Sequence, residues 1–286
     1  MNQITTQTKP WRIIDLINWG NENFAQNGIE NSLHEMEWLL CDILDCQRID
    51  LYIQFEDILD EKDLIILRQM VNRRLSGEPF QHILGRASFY GRDYKVDNSV
   101  FIPRCETELL IEQLKAKGKF NSLLEIGTGS GCIAITASLE GLVEYILATD
   151  ISESALNITK ENIKKFCVTN IDTVVHNFLI SGFKSKFDVV VSNPPYIPID
   201  DMAELQAEIR DYDPHSALTD KGDGLSFYRR FAQQFDNLLL HNGILMLEFG
   251  GNIQKNSLEQ IFSDNDLKCE FFKDLQKNFR VVIVTR

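Results

Sequence analysis

Leu123-Leu124-Glu125-Ile126-Gly127-Thr128-Gly129-Ser130-Gly131 carries an apolar segment straight into a glycine-rich turn, and from Cys132 onward the apolar residues follow a helical pattern. A strand that ends in such a loop and is followed by a helix places the loop at the carboxyl edge of a sheet, where open α/β folds bind their ligands. Glycine lets the backbone turn tightly and come close to a bound molecule. The helix that follows offers free N–H groups to an anionic group such as a carboxylate. The spacing here is G-x-G-x-G. A dinucleotide fingerprint needs G-x-G-x-x-G and a P-loop ends in Gly-Lys-Ser/Thr, so the loop matches neither phosphate motif.

Working outward, strands are predicted at 122–126, 144–149, 173–175, 187–192 and 243–248, with helices from about Cys132, from about Glu153 and over 225–240. Strands alternating with helices imply a parallel sheet covered on both faces. The closing segments 268–272 and 280–285 read as two strands joined by a short polar turn, which predicts an antiparallel edge. Upstream, from Trp11 to about Leu75, apolar residues recur at three- and four-residue steps, as in Ile13, Ile14, Ile17 and Leu33, Met36, Leu39, Leu40, Ile43. Ser32 with Glu35 forms a capping box, Gly28 and Gly77 mark helix stops, and Trp11, Trp19 and Trp38 are expected in the core. Between them, Ala87-Ser88-Phe89-Tyr90 and Tyr94-Lys95-Val96 suggest a hairpin. The predicted organisation is a small helical domain (1–75), a hairpin linker (76–104) and an α/β domain with a Rossmann-like parallel sheet (105–286).

The 286-residue length and the composition, 44% hydrophobic and 25% charged, are those of a folded globular protein. The net charge of -13 weighs against direct nucleic-acid binding. No apolar run is long enough for a bilayer, and the polar start 1–9 lacks a signal-peptide core, so no membrane association and a cytoplasmic location are expected. The six cysteines form no Cys-x-x-Cys pair and the five histidines no cluster, so reduced thiols and no metal are expected.

Asp150 closes the second strand about twenty residues beyond the loop, where an acidic side chain accepts hydrogen bonds from ribose hydroxyls. Its alternative role is a cap for the helix that begins near Glu153. Loop and acid together resemble the S-adenosylmethionine site of Rossmann-like methyltransferases: that cofactor has a carboxylate and a ribose but no phosphate, which suits a loop without lysine. Asn193-Pro194-Pro195-Tyr196 follows the strand 187–192 and so lies at the same sheet edge. An amide nitrogen is a poor nucleophile because its lone pair is delocalised. The Asn193 side-chain oxygen and the Pro194 carbonyl could accept both N–H bonds of a substrate NH2 group, turn its lone pair toward the methyl sulfonium, and stabilise the positive charge growing on nitrogen. Pro195 biases Pro194 toward an extended conformation, neither proline has an N–H to compete, and Tyr196 would wall the pocket and stack on the acceptor group. The bland reading of the tetrapeptide is a proline-rich loop that merely ends a strand.

The sequence resembles the release-factor glutamine methyltransferases, the PrmC/HemK family. The resemblance is carried by Gly77-Glu78-Pro79-Phe80-Gln81-His82-Ile83-Leu84-Gly85, Phe101-Ile102-Pro103-Arg104, Thr107-Glu108, the glycine loop, Asn193 to Tyr196, and Tyr212-Asp213-Pro214 with Ala217-Leu218. Asp223-Gly224-Leu225 with Phe227-Tyr228-Arg229-Arg230, Leu247-Glu248-Phe249-Gly250, and Asp274-Leu275 with Arg280-Val281-Val282 extend it over most of the chain. It implies methyl transfer from S-adenosyl-L-methionine, leaving S-adenosyl-L-homocysteine, to the glutamine of the Gly-Gly-Gln motif of peptide-chain release factors. It also implies a helical domain that helps recognise the release factor. By position, Gly127, Thr128, Gly129, Ser130, Gly131, Asp150, Phe178 and Asn193 would contact the cofactor, with Phe101 near it, and Asn193, Pro194, Pro195 and Tyr196 the glutamine. Two positions depart from the family pattern: Cys105 replaces a usual proline, and Asn177 a usual Asp beside the adenine, where Asn still offers an acceptor.

Two rivals stand beside this reading. An adenine-N6 DNA methyltransferase can use the same tetrapeptide on a flipped base, but it needs a basic surface to read DNA. A non-catalytic release-factor or ribosome-binding module would have no need of the glycine loop and Asp150. A monomer is expected, because a protein substrate needs an accessible face.

Overall fold

The computed structural model describes residues 10–286, so the polar start 1–9 lies outside the described residues. The chain divides into two compact units, Met1–Leu84 and Gly85–Arg286.

The first unit holds α1 (Ile13–Gln26), α2 (Ser32–Leu44), α3 (Arg48–Ile53), α4 (Glu61–Leu75) and α5 (Phe80–Leu84). Leu16, Ile17 and Phe24 of α1 meet Met36, Leu39 and Leu40 of α2 and Leu67 and Val71 of α4 in one core, the stripe expected of helices that bury one face. A side chain at Gly20 would collide with Met36, so α1 and α2 approach closely there. Gly28 and Gly77, at φ 81° and 92°, follow the last turns of α1 and α4 as expected.

Two expectations fail here. Ser32 is not the cap of α2. Asn31 precedes the helix without a side-chain cap, the Ser32 hydroxyl donates to Asn21 Oδ1 at 2.6 Å, and Glu35 is drawn away by Arg74 Nε at 2.5 Å. Trp38 is 47% exposed. It lies two residues from Met36, and such positions face opposite ways on a helix.

The second unit opens with the hairpin β1 (Arg86–Phe89) and β2 (Arg92–Lys95). There follow α6 (Glu108–Lys117), β3 (Phe120–Ile126), α7 (Cys132–Leu139), β4 (Val143–Asp150), α8 (Glu153–Lys165), β5 (Ile171–Val175), β6 (Phe187–Ser192), α9 (Ala207–Tyr212), α10 (His215–Leu218), α11 (Ser226–Leu238), β7 (Leu239–Glu248), α12 (Asn252–Ser263), β8 (Lys268–Lys273) and β9 (Phe279–Thr285). The sheet runs β5-β4-β3-β6-β7-β9-β8, with β9 antiparallel to both its neighbours, as the closing segments predict. Alternation divides its side chains between two apolar layers. Leu123, Val189, Val191 and Ile283 face one, while Leu124, Val190, Leu245 and Val282 face the other. α11 covers the second layer with Tyr228, Phe231, Phe235 and Leu238. Strand order reverses at β3, because β4 and β5 lie to one side of it and β6 to the other. A crevice is expected between the carboxyl ends of β3 and β6.

The division at Leu84 and Gly85 falls inside the expected linker, and the hairpin belongs with the sheet for a definable reason. Ala87, Val96, Val100 and Ile102 pack on Ala155 and Ile158 of α8. Asn162, fully buried on α8, accepts the Lys95 N–H at 2.7 Å and donates to the Lys95 carbonyl at 3.0 Å and the Ser130 carbonyl at 2.8 Å. One amide thus ties the hairpin to the glycine loop. Asn162→Ala strands these backbone groups and is expected to cost about 3 kcal/mol of stability, read as a lower urea midpoint at unchanged slope.

Candidate active site

The carboxyl ends of β3, β4 and β6 open onto one cavity of about 590 Å³, within the range of small-molecule sites. Gly127, Thr128, Gly129, Ser130, Asp150, Phe178 and Asn193-Pro194-Pro195-Tyr196 all line it, as does Phe101. Gly131 does not. It has a left-handed φ of 82° like the others, and in addition a Cβ there would meet Thr159 Cγ2 at 2.9 Å, so it permits α8 to pack against the loop. Gly127 and Gly129, at φ 75° and 55°, have open space where a Cβ would stand. Backbone conformation requires glycine there, and the space is left to whatever fills the cavity.

The loop is wired to its own sheet. The Thr149 carbonyl accepts from the N–H groups of Gly127 at 2.8 Å and Thr128 at 2.9 Å, and the Thr128 carbonyl from Gly131 at 2.8 Å. The first turn of α7 is not simply left open to a ligand anion, as the sequence suggested. Glu125 Oε2 accepts from the Ala134 N–H at 3.1 Å and from the Thr128 hydroxyl at 2.7 Å. Burial pushes the Glu125 carboxyl up to about 8 against those two hydrogen bonds, and its Oε1 has no partner.

Asp150 at the end of β4 accepts the Gly129 N–H at 2.9 Å on one oxygen and the Ser152 N–H at 2.9 Å on the other. The cap of α8 is the Ser152 hydroxyl, which accepts from Ala155 at 3.2 Å. Asp150 therefore braces the turn without being the cap, and each of its oxygens keeps a lone pair. Burial raises its pKa against the N–H groups of Ser152, Gly129 and Ile151.

Asn193 follows β6 and donates from Nδ2 to Thr107 Oγ1 at 3.2 Å. Behind it, Gln254 Nε2 donates to the Tyr196 carbonyl at 2.8 Å. The loop before α11 is folded around Asp220, which accepts the N–H groups of Gly222 at 2.8 Å, Gly224 at 3.0 Å and Ser226 at 2.9 Å. Gly224 has φ 75°, and a Cβ on it would run into the Tyr196 carbonyl. Gly224→Ala should push the tetrapeptide off its position and lower kcat about 30-fold, since a displacement near one ångström costs rates of that order. The cofactor dissociation constant, measured alongside, should hold.

Several residues at the cavity or just behind its lining carried no role in the sequence reading. Thr107 and Glu248 flank Asn193, and both are buried. Asp213 is fully buried, 3.6 Å from Arg104, and both of its oxygens lack hydrogen-bond partners. Burial pushes its carboxyl up to about 6 despite the attraction of Arg104. These residues stand in the motifs Arg104, Thr107-Glu108, Tyr212-Asp213-Pro214 and Leu247-Glu248, and motif membership was the sole signal for them.

The two departures are placed as well. Asn177 Oδ1 accepts the Leu179 N–H at 3.1 Å, so its acceptor already serves the local turn. Cys105 follows Arg104, whose φ of -108° and ψ of 149° are those a following proline would impose, so the chain keeps its path without one. Among the described residues, no group of three or more His, Cys, Asp or Glu could hold a metal ion, and no helix is long and apolar enough to cross a membrane.

Comparison with known proteins agrees with this architecture. Residues 15–85 match the family of the PrmC N-terminal domain and residues 104–210 that of the methyltransferase small domain. The chain is 35% identical over 249 residues to the release factor glutamine methyltransferase of Geobacter sulfurreducens, covering 86% of this chain and 87% of that protein. It is 36% identical over 283 residues to the release factor glutamine methyltransferase of Chlorobaculum tepidum, covering 93% and 96%. Among solved structures, a methyltransferase from Pyrococcus furiosus aligns with a TM-score of 0.51 at 17% identity over 76% of this chain and 96% of that one, a likeness of fold.

Proposed function

The chain belongs to the release factor glutamine methyltransferase family, and from that premise we propose that it transfers a methyl group from S-adenosyl-L-methionine to the side-chain amide nitrogen of the glutamine in the Gly-Gly-Gln motif of peptide-chain release factors. The observation that carries the reading is the meeting of the glycine loop, Asp150 and Asn193-Pro194-Pro195-Tyr196 in one cavity at the reversal point of the sheet.

The cavity fits the cofactor. Open space faces Gly127 and Gly129, Asp150 keeps acceptor capacity for ribose hydroxyls, and the unpartnered Glu125 oxygen lies beside the loop. Phe178 offers an apolar ring held against Phe231 at 4.5 Å between centroids. When bound, S-adenosylmethionine supplies an electrophilic sulfonium methyl and is left as S-adenosylhomocysteine. Asn193 Oδ1 and the Pro194 carbonyl accept the two N–H bonds of the glutamine amide, which holds its lone pair in line with the methyl. The same acceptors stabilise the charge that develops on nitrogen. Tyr196 shields the pocket from water. No metal and no general base enter this scheme, because an N-methylated amide cation loses its proton readily to solvent.

The helical unit is assigned to recognition of the release factor. Its exposed Trp38, Ile49, Tyr52 and Ile53 support this, since exposed apolar side chains in one small unit suit a protein partner. We take the working form to be a monomer, with the substrate protein occupying the open face.

The test is to incubate the protein with labelled S-adenosylmethionine and an unmodified release factor, its Gly-Gly-Gln to Gly-Gly-Ala variant, or duplex DNA. Label on the unmodified factor alone is the expected result. Label on DNA alone would replace this reading with adenine methylation, and no cofactor binding at all would favour a non-catalytic binding module.

A further inference from the structure

Ser192, the last residue of β6, pairs with Leu247 of β7, so Asn193 leaves the sheet beside Glu248, the last residue of β7, which is still paired with Val281 of β9. Thr107, in the short turn before α6, completes a group of three. Its Oγ1 accepts the Asn193 Nδ2–H at 3.2 Å, and the Glu248 carboxyl neighbours both the Thr107 hydroxyl and the Asn193 amide. All three line the cavity, yet Glu248 is 2% exposed and its Oε2 has no hydrogen-bond partner. A buried, unpartnered carboxyl oxygen beside the acceptor loop needs an explanation.

Asn193 can present either end of its amide to the cavity. Only the oxygen end accepts a substrate N–H; the NH2 end would repel it. Thr107 does not decide between them, because a hydroxyl donates as readily as it accepts. A carboxylate does decide, since it can only accept. We propose that Glu248 is a positioning residue that acts through Thr107. The Glu248 carboxylate accepts the Thr107 O–H, the Thr107 oxygen is thereby committed to accepting the Asn193 Nδ2–H, and Asn193 Oδ1 is left facing the substrate nitrogen. This rests on the glutamine-methylation reading above.

Protonation of Glu248 reverses the chain. The carboxyl then donates to Thr107, Thr107 donates to Asn193 Oδ1, and the amide turns its NH2 end toward the cavity. Burial pushes the Glu248 carboxyl up to about 7, against the pull of Thr107 and Arg280. The charged and titratable groups around it are Arg280 on β9, Glu106 in the turn before α6, Tyr196 after β6, Tyr228 on α11 and Cys132 on α7. Burial raises both phenols and the Cys132 thiol, so these three stay neutral where Glu248 titrates. Arg280 is ion-paired with Asp274 at 3.4 Å.

The test measures kcat and the KM for each substrate between pH 6 and 9, with release factor and S-adenosylmethionine, for the wild type, Glu248→Gln, Thr107→Val, Thr107→Ser and the double variant Glu248→Gln with Thr107→Val. Wild-type kcat should rise with pH through a midpoint near 7. Glu248→Gln and Thr107→Val should each lower the high-pH kcat about ten-fold and abolish that rise, with little change in the KM for S-adenosylmethionine. The double variant should be no worse than either single one, and Thr107→Ser should restore both rate and profile. Additive losses, or a Thr107→Val enzyme that keeps the wild-type profile, would overturn the proposal, and the latter holds even where the Glu248 variant does not fold. A wild type that methylates no release factor at any pH would instead refute the function on which it rests.

Discussion

Asn193→Ala should lower kcat for release-factor methylation by about 10³-fold, because it removes one of the two acceptors that aim the amide lone pair and stabilise the charge on nitrogen. Folding should survive. The side chain is half-buried, and its hydrogen bond in the structure goes to a threonine hydroxyl that can turn to another partner or to water. The dissociation constant of S-adenosylmethionine should move by no more than about ten-fold, since the proposed role of Asn193 is to align the acceptor nitrogen and the glycine loop and Asp150 are left intact. Calorimetric titration of the cofactor beside steady-state rates separates the two effects, and a variant that turns over at the wild-type rate would remove Asn193 from the chemistry.

Asp150→Ala should do the reverse, weakening the cofactor about 200-fold while kcat at saturating cofactor changes little. Two hydrogen bonds from ribose hydroxyls to a charged acceptor account for about 3 kcal/mol of that loss. The structure adds a second cause. Asp150 also holds the Gly129 N–H, so its removal loosens the loop that must approach the ligand. Asp150→Asn, which keeps an acceptor but loses the charge, should fall between the two. An unaltered dissociation constant in the alanine variant would count against the ribose assignment.

Much of the fold was legible because the sheet strands are short apolar runs bounded by strong punctuation. The strand 187–192 is found at those residues, and β3, β4, β7 and β9 extend their predicted segments by only a few residues at one or both ends. The helices α6 and α12 escaped notice: each places only a few buried residues against the sheet, Leu110, Ile111 and Leu114 in one and Leu258 and Phe262 in the other. α9 and α10 are single short turns with almost no buried face. The errors at Ser32 and Trp38 are of another kind, because a capping box competes with a long-range ion pair to Arg74, and exposure depends on which side of α2 meets its neighbours. At the cavity, the residues on consecutive stretches of chain were readable from their order. Glu248 and Thr107 were not, since their meaning lies in adjacency across strands and turns far apart in sequence. Gly131 shows the converse, a glycine of the right motif that lies off the cavity and whose surroundings, Thr159 on the next helix, leave no room for a side chain.

The pairing of β3 with β6 has a consequence for how such a site can change. Leu123 opposes Val189, Leu124 opposes Val190 and Glu125 opposes Val191, so the glycine loop and the Asn193 loop hang from neighbouring strands held about 4.8 Å apart by their hydrogen bonds. The ladder acts as a ruler, and the separation of the two loops is measured out by the interior of the sheet. The segments that would greet the substrate, α9 and α10, can therefore be rewritten for a different amide without disturbing that measurement, whereas the turn around Asp220 is held to it by the close approach of Gly224 to the Tyr196 carbonyl.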